Sequence, residues 1–333
     1  MKEIIELYLE NNDALENVKG SSGRYTIPKR FSALTPTIKD EKIDVERVNL
    51  ALKLIKDNTH WNSYFRGDNR FTVAIAVSFE EDMEESLKEI ISIHDRLKKE
   101  LYNTGYLIAA ALVIFNSRER LNVDMAIKNT KVAYDYMKKN HKFITGSEDI
   151  ASAAAIATTT VNFEQTFNEI EECYEILKKE KIGSSNDIQA LSHILSLVNL
   201  PQKEKCEKVI EMKSIVKENK VAFDGCYLPL LGIISFLVEN KQEFINEIVD
   251  VSNELKKHKG FSNFALGKSS RNMIAMVLVS MKYIENLDGD LKNSIINNTN
   301  NATMTVITVI NTAIASAITG AIVAGIAASS SSY

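Results

Sequence analysis

A short phrase, one apolar residue followed by lysine, recurs along this chain at an almost constant interval. The six copies are Ile55-Lys56, Leu97-Lys98, Met137-Lys138, Leu177-Lys178, Val216-Lys217 and Leu255-Lys256. Successive copies are 42, 40, 40, 39 and 39 residues apart. A period of this length with helical patterning is typical of stacked helix pairs. The sequence therefore predicts an all-α fold, an α-solenoid of about six αα-hairpin repeats across residues 41–285.

Two further apolar positions accompany each anchor. Counting the anchor as zero, position −4 is Ala51, Ile93, Ala133, Cys173, Met212 and Val251, and position −7 is Val48, Ile90, Thr130, Ile170, Val209 and Ile248. These offsets fall on one stripe of an α-helix, so the stripe is expected to face a core. We call this helix the A helix of its repeat. Thr130 is the one polar exception in the stripe.

A loop-forming segment and a second, more apolar stretch follow each A helix. The second stretches are Tyr106–Phe115, Ile150–Thr159, Ile188–Val198, Tyr227–Val238 and Asn272–Met281. Short polar groups stand before two of them, in residues 146–149 and 184–187, as helix N-caps require. Because these stretches are largely apolar, we expect them to form the buried B helices of the repeats.

The sequence on either side of the repeats predicts three further segments. Residues 1–40 would form an N-terminal capping helix, from about Lys2 to Val18, followed by a flexible Gly/Ser/Pro-rich joint across residues 19–36. Residues 286–302 would be a polar linker, and residues 303–333 an uncharged apolar tail.

The tail contains a 25-residue run, Met304–Ala328, that is long enough to cross a membrane. A helix rises about 1.5 Å per residue, and a hydrocarbon core is about 30 Å thick. Several threonines, Asn311 and many small residues weaken this prediction, because they add little or no insertion energy. Three alternatives stay open: membrane attachment, a helix packed on the solenoid or on a second copy of the chain, and disorder.

Composition excludes several classes of protein. The formal net charge of −4 and a pI of about 5.9 give no general attraction to nucleic acid. Three cysteines at helical positions do not predict a disulfide framework, and the acidic N-terminus is not a secretory signal. The five histidines are scattered, so no metal or cofactor site is expected. We expect a cytoplasmic protein, with membrane association through its C-terminus as an open alternative.

One segment is rich in residues that anchor protein interfaces. The loop after the first A helix contains the partner-binding candidates His60, Trp61, Tyr64, Phe65, Arg66 and Arg70. Tryptophan, tyrosine and arginine dominate binding hot spots, so the loop is a candidate surface for a protein or peptide. The alternative is that the same residues seal the end of the first repeat.

The lysines that follow the anchors form a second candidate, a basic ridge along one edge. Its members are Lys98, Lys138, Lys178, Lys217 and Lys256, with Lys56 in the first repeat. The favoured interpretation is structural, because a cation in the last turn of a helix complements the helix dipole. Asp95, Asp135 and Glu175 are placed three residues earlier, where they could pair with these lysines.

No motif in the chain predicts catalysis. Gly267-Lys268-Ser269-Ser270 resembles the end of a phosphate-binding loop, but its first glycine is missing. The expected function is therefore a non-enzymatic scaffold that binds a protein or peptide partner, with the tail as an optional membrane tether. The alternatives are an enzyme on a solenoid frame, whose site the sequence does not show, and a structural protein that self-assembles through its tail.

Two stretches, Met137–Asp149 and Gly183–Leu195, together with Arg70-Phe71 before the first B helix, carry a family resemblance. With these residues the chain resembles the bacterial family catalogued as domain of unknown function 4003, over nearly its whole length. It departs from the family pattern at Lys142, where proline is expected, and in the β-branched residues of its tail. The family has no assigned activity, so the resemblance implies a cytoplasmic protein of Gram-positive bacteria and no catalytic residues.

Overall fold

The computed structural model describes residues 1–20, 26–67, 69–160, 162–198 and 200–285. Within these ranges the regular structure is helical and contains no strand, which confirms the all-α prediction for this part of the chain. None of the described helices is long and apolar enough to cross a membrane. The predicted linker 286–302 and the tail 303–333, with Met304–Ala328 inside it, lie outside the described residues.

Three helices precede the repeats: α1 (Lys2–Glu16), α2 (Thr26–Ser32) and α3 (Leu34–Ile38). The expected N-terminal helix is thus present as α1. Asn11 ties it to the chain before the first repeat, because its amide donates to the carbonyl of Glu41 at 2.9 Å and accepts from the N–H of Ile43 at 2.8 Å. The prediction of a flexible joint across residues 19–36 is wrong from residue 26 onward. Helices α2 and α3 form there and bury Phe31 and Leu34 completely.

The repeats form alternating A and B helices in the described chain. The A helices are α4 (Val45–Asn58), α6 (Met83–Glu100), α8 (Val123–Asn140), α10 (Phe163–Lys179), α12 (Gln202–Glu218) and α14 (Lys241–Lys256). The B helices are α5 (Arg70–Ser78), α7 (Tyr106–Ser117), α9 (Ile150–Thr159), α11 (Ser185–Leu195), α13 (Leu228–Leu237) and α15 (Lys268–Glu285). Each predicted B stretch therefore coincides with a helix, to within a few residues.

The chain divides into two compact units. Residues Glu6–Thr158 belong to the first unit, and the described residues from Thr159 onward, with Met1–Ile5, belong to the second. In the first unit α6 packs against both α4 and α8, and α5 packs against α7. In the second unit α12 packs against α10 and α14, while α13 packs against α11 and α15. Within each unit, A helices thus neighbour A helices and B helices neighbour B helices.

The apolar register predicted for the A helices is confirmed at every position. All residues at the anchor, at position −4 and at position −7 are buried in the six repeats. Thr130 is also completely buried, and its hydroxyl donates to the carbonyl of Ala126 at 2.7 Å. This intrahelical bond satisfies the polar atom and explains why the core accepts a threonine there. The B helices are buried on nearly all sides, as in α13, where every residue is buried.

A second periodic signal in the sequence marks where the A helices begin. Fifteen residues before the anchor stands a short polar side chain that accepts a hydrogen bond from the first turn, at Asp82, Asn122, Asn162 and Asn240. The first repeat starts one turn later, with Asp44 as its cap, and the fifth has Pro201 instead. A capped start and an apolar anchor at fixed separation thus set the length and phase of most A helices.

Candidate functional site: the loop edge of the first unit

Three consecutive A–B loops lie side by side in the first unit, and we call them the loop edge. Their described residues are 59–67 and 69 in the first loop, 101–105 in the second and 141–149 in the third. The first two are joined by a hydrogen bond of 2.9 Å from the amide of Asn69 to the carbonyl of Gly105. In the third loop the carboxylates of Glu148 and Asp149 lie near Tyr106, at the start of α7, and burial together with these charges raises the pKa of that phenol.

Arg66 holds the first loop onto the end of α4. Its guanidinium donates to the carbonyls of Lys56 and Thr59, and also to the hydroxyl of Thr59 at 3.1 Å. The last carbonyls of a helix have no partner within the helix, so Arg66 supplies one. Arg66 is therefore a structural residue rather than a free binding group.

Two more of the six predicted candidates also support the loop. Phe65 is 2 % exposed and packs edge-on against the ring of His94, with 5.0 Å between centroids. Arg70 donates to the carbonyl of Gly20 at 2.5 Å and lies 4.7 Å from the centroid of the Phe71 ring. These contacts support the interpretation in which part of the cluster seals the first repeat.

The side chains of the other three candidates are exposed to solvent. Trp61 is 74 % exposed and Tyr64 is 46 % exposed. His60 is exposed too, with its Nδ1 2.7 Å from the side-chain oxygen of Asn62 and its ring 5.9 Å from that of Trp61. The structure thus brings His60, Trp61 and Tyr64 together at the surface, while Phe65, Arg66 and Arg70 lie beneath or beside them.

The second and third loops each expose an aromatic ring that is not among the predicted candidates. Tyr102 is 74 % exposed and Phe143 is 97 % exposed. Both follow their anchors by five or six residues, as Trp61 does in the first repeat. The repeat register marks this loop position but does not indicate exposure, because Phe261 follows its anchor by six residues and is completely buried.

The third loop is held by a buried carboxyl group. Asp149 accepts a hydrogen bond from the N–H of Gly146 at 2.9 Å, and Lys138 donates to the carbonyl of Thr145 at 2.6 Å. Burial raises the pKa of Asp149 to about 7, although the bond from Gly146 favours the charged form. The loop that presents Phe143 is therefore fixed by a group that titrates near neutral pH.

The lysines of the predicted ridge lie in the last turns of their A helices, as expected. Lys98, Lys138, Lys178, Lys217 and Lys256 are all exposed there. The expected pairing holds only for Lys178, whose amine is 4.0 Å from Glu175. For the other two carboxylates it is wrong: Asp95 bonds to His94, and Asp135 pairs with Lys131 on the adjoining turn.

The described part of the chain contains no group of three His, Cys, Asp or Glu side chains able to hold a metal ion. Cys173 and Cys206 are buried free thiols, and Cys226 is an exposed one. The sulfur of Cys206 lies 3.9 Å from the carbonyl of Cys173, at the contact between α10 and α12.

Comparison with known proteins agrees with the resemblance seen in the sequence. "Uncharacterized protein YeaA" of Bacillus subtilis (strain 168) is 24% identical over 268 residues, which cover 76% of each chain. No solved structure matches significantly. A family model matches residues 15–313, nearly the whole chain. The chain therefore belongs to the family described as "Protein of unknown function (DUF4003)".

Proposed function

We propose that this chain is a non-enzymatic helical-repeat scaffold, an α-solenoid of six helix pairs, that works in the cytoplasm and binds a protein or peptide partner through the loop edge. The repeated burial of one apolar stripe in all six A helices supports the solenoid. The three free thiols are in keeping with a reducing compartment.

The proposal rests on one contrast in the first loop: some of its side chains are buried in internal contacts, while aromatic rings beside them are exposed. Arg66 and Phe65 immobilise the first loop through internal contacts, yet the adjacent Trp61 is left 74 % exposed. A large apolar ring held out on a rigid frame loses little conformational entropy on binding and buries much area. Such rings, grouped on neighbouring loops, are typical of interaction surfaces.

Partner capture with matched variants tests this function. Tagged full-length protein and its Trp61→Ala variant are used to capture proteins from a Gram-positive bacterial lysate, and the captured proteins are quantified. We expect Trp61→Ala to lose a specific partner while the melting temperature stays unchanged, because the exposed ring contributes little to folding. Met125→Ala removes another exposed apolar side chain, on α8, and should retain the partner.

Arg66→Ala supplies the structural control for the same loop. Removing its bonds to the end of α4 should cost about 1–3 kcal/mol of stability, visible as a lower melting temperature. If wild type and Trp61→Ala capture the same proteins in the same amounts, the loop edge is not the binding surface.

A further inference from the structure

We propose that the partner at the loop edge is an acidic peptide segment in the polyproline II conformation, with an apolar residue at every third position. This inference rests on the proposed function and specifies its ligand. The apolar residues would contact Trp61, Tyr102 and Phe143, and the acidic residues would face the lysines at the ends of α4, α6 and α8.

The helix ends and loops that follow the three anchors of the first unit are basic, whereas the chain as a whole is acidic. Between each anchor of the first unit and the following B helix, the described residues include six exposed lysines and three exposed carboxylates. The lysines are Lys56, Lys98, Lys99, Lys138, Lys139 and Lys142, and the carboxylates are Asp57, Glu100 and Glu148. The chain carries a net charge of −4. A local basic edge on an acidic protein favours an acidic ligand.

The spacing of the rings indicates the shape of the ligand. Each ring follows its own A helix, and α4, α6 and α8 are packed as neighbours. Packed helices are about 8–10 Å apart, so successive loops repeat at about that interval. A polyproline II chain has three residues per turn and rises about 3.1 Å per residue, so side chains three residues apart point the same way and recur at about one repeat. A segment of about seven residues would therefore reach all three rings.

The arrangement fits a peptide better than a lipid surface. Glu100 and Glu148 are exposed on the same segments as the lysines, and a continuous anionic bilayer would meet these carboxylates as well. A peptide can place its acidic side chains opposite the lysines alone. The hydrogen bond from Asn69 to Gly105 also holds the first two loops in fixed register.

A labelled peptide of about ten residues, with leucine at every third position and Asp or Glu between, tests the inference by fluorescence anisotropy with full-length protein. Tyr102→Ala and Phe143→Ala should each weaken its binding at least about fivefold without changing the melting temperature. Added salt should weaken it further. Met125→Ala should bind like wild type.

Three outcomes would overturn the inference. The first is that wild type does not bind the peptide. The second is that it binds equally well a peptide of the same composition whose leucines are adjacent. The third is that Tyr102→Ala and Phe143→Ala bind the peptide as tightly as wild type. If anionic vesicles bind through Tyr102 and Phe143 and the peptide does not, the ligand is a lipid surface. If a captured protein depends on Trp61 but the peptide fails, the scaffold function stands and this ligand assignment falls. If both fail, both proposals fall.

Discussion

Opposing effects act on the protonation of the Asp149 carboxyl group. The N–H of Gly146 donates to its carboxyl group, and Lys138 lies near enough to favour the charged form, but burial and the neighbouring Glu148 favour the neutral form. Burial is the largest of these effects and raises the pKa from its ordinary value of 3.8 to about 7. The folded chain therefore binds a proton here that the unfolded chain releases.

This difference predicts how stability depends on pH. Between about pH 4 and pH 7 the folded state holds more protons than the unfolded state, so the free energy of unfolding falls as pH rises, by about 4 kcal/mol at most. Asp149→Asn removes the titration, so its stability relative to wild type should increase with pH across this window. Melting curves at several pH values check the slope.

Asp187 provides the matched control, because it caps α11 in the same way, accepting from the N–H of Ser184 at 3.2 Å, but is only half-buried. The stability of Asp187→Asn should depend on pH in the same way as that of wild type. An unchanged slope in Asp149→Asn would show that Asp149 does not carry the effect.

At the scale of elements, the contact between α10 and α12 contains a buried lysine where the other repeats do not. Lys205 stands eleven residues before its anchor, and the same position in the other five repeats is occupied by Asp44, Ser86, Ala126, Thr166 and Phe244. Its side chain is 0 % exposed, and its amine donates to Glu169 at 3.0 Å and to the carbonyl of Val198 at 3.1 Å. The ion pair ties two consecutive A helices together.

Replacing Glu169 and replacing Lys205 should lower the free energy of unfolding by different amounts. Glu169→Ala leaves the Lys205 ammonium buried without its carboxylate and should cost about 3–5 kcal/mol. Lys205→Met keeps the volume and leaves Glu169, which retains some contact with water, so it should cost less than about 2 kcal/mol. Denaturant unfolding measures both.

Lys203→Met, which removes an exposed lysine paired with Glu207, should change stability by less than about 0.5 kcal/mol. Equal losses in Lys205→Met and Glu169→Ala would mean that the pair itself, rather than an orphaned charge, stabilises the contact.

The elements differ in how far the sequence could predict them. Leu97 and Ile93 lie on a short-range apolar pattern, so their burial follows from helical geometry alone. Lys205 stands at a repeat position with no consistent polarity, and a charged residue would be placed at the surface by any rule based on polarity. The exposure of Phe143 and the bonds from Arg66 to the end of α4 depend on how the loop folds back, which local sequence does not encode.

At the scale of the whole chain, each unit repeats the same neighbour contacts. In the second unit α12 contacts both α10 and α14, and in the first unit α6 contacts both α4 and α8. In such arrangements most stability comes from contacts within a repeat and with its immediate neighbours. A segment outside the repeats should therefore affect their stability only through the surface that it covers.

The uncharged segment after the repeats, residues 293–333, gives the last prediction. If Met304–Ala328 enters a bilayer, deleting residues 293–333 should turn a protein that pellets with carbonate-washed membranes into a soluble one, with its thermal transition unchanged. If the segment instead packs as a helix on the repeats, deletion exposes apolar surface and lowers stability, by about 25 cal/mol for each Å² uncovered. Fractionation and melting curves of both proteins separate these cases. Soluble full-length protein with a destabilised truncation would contradict the membrane anchor, because only a segment that covers the repeats can stabilise them.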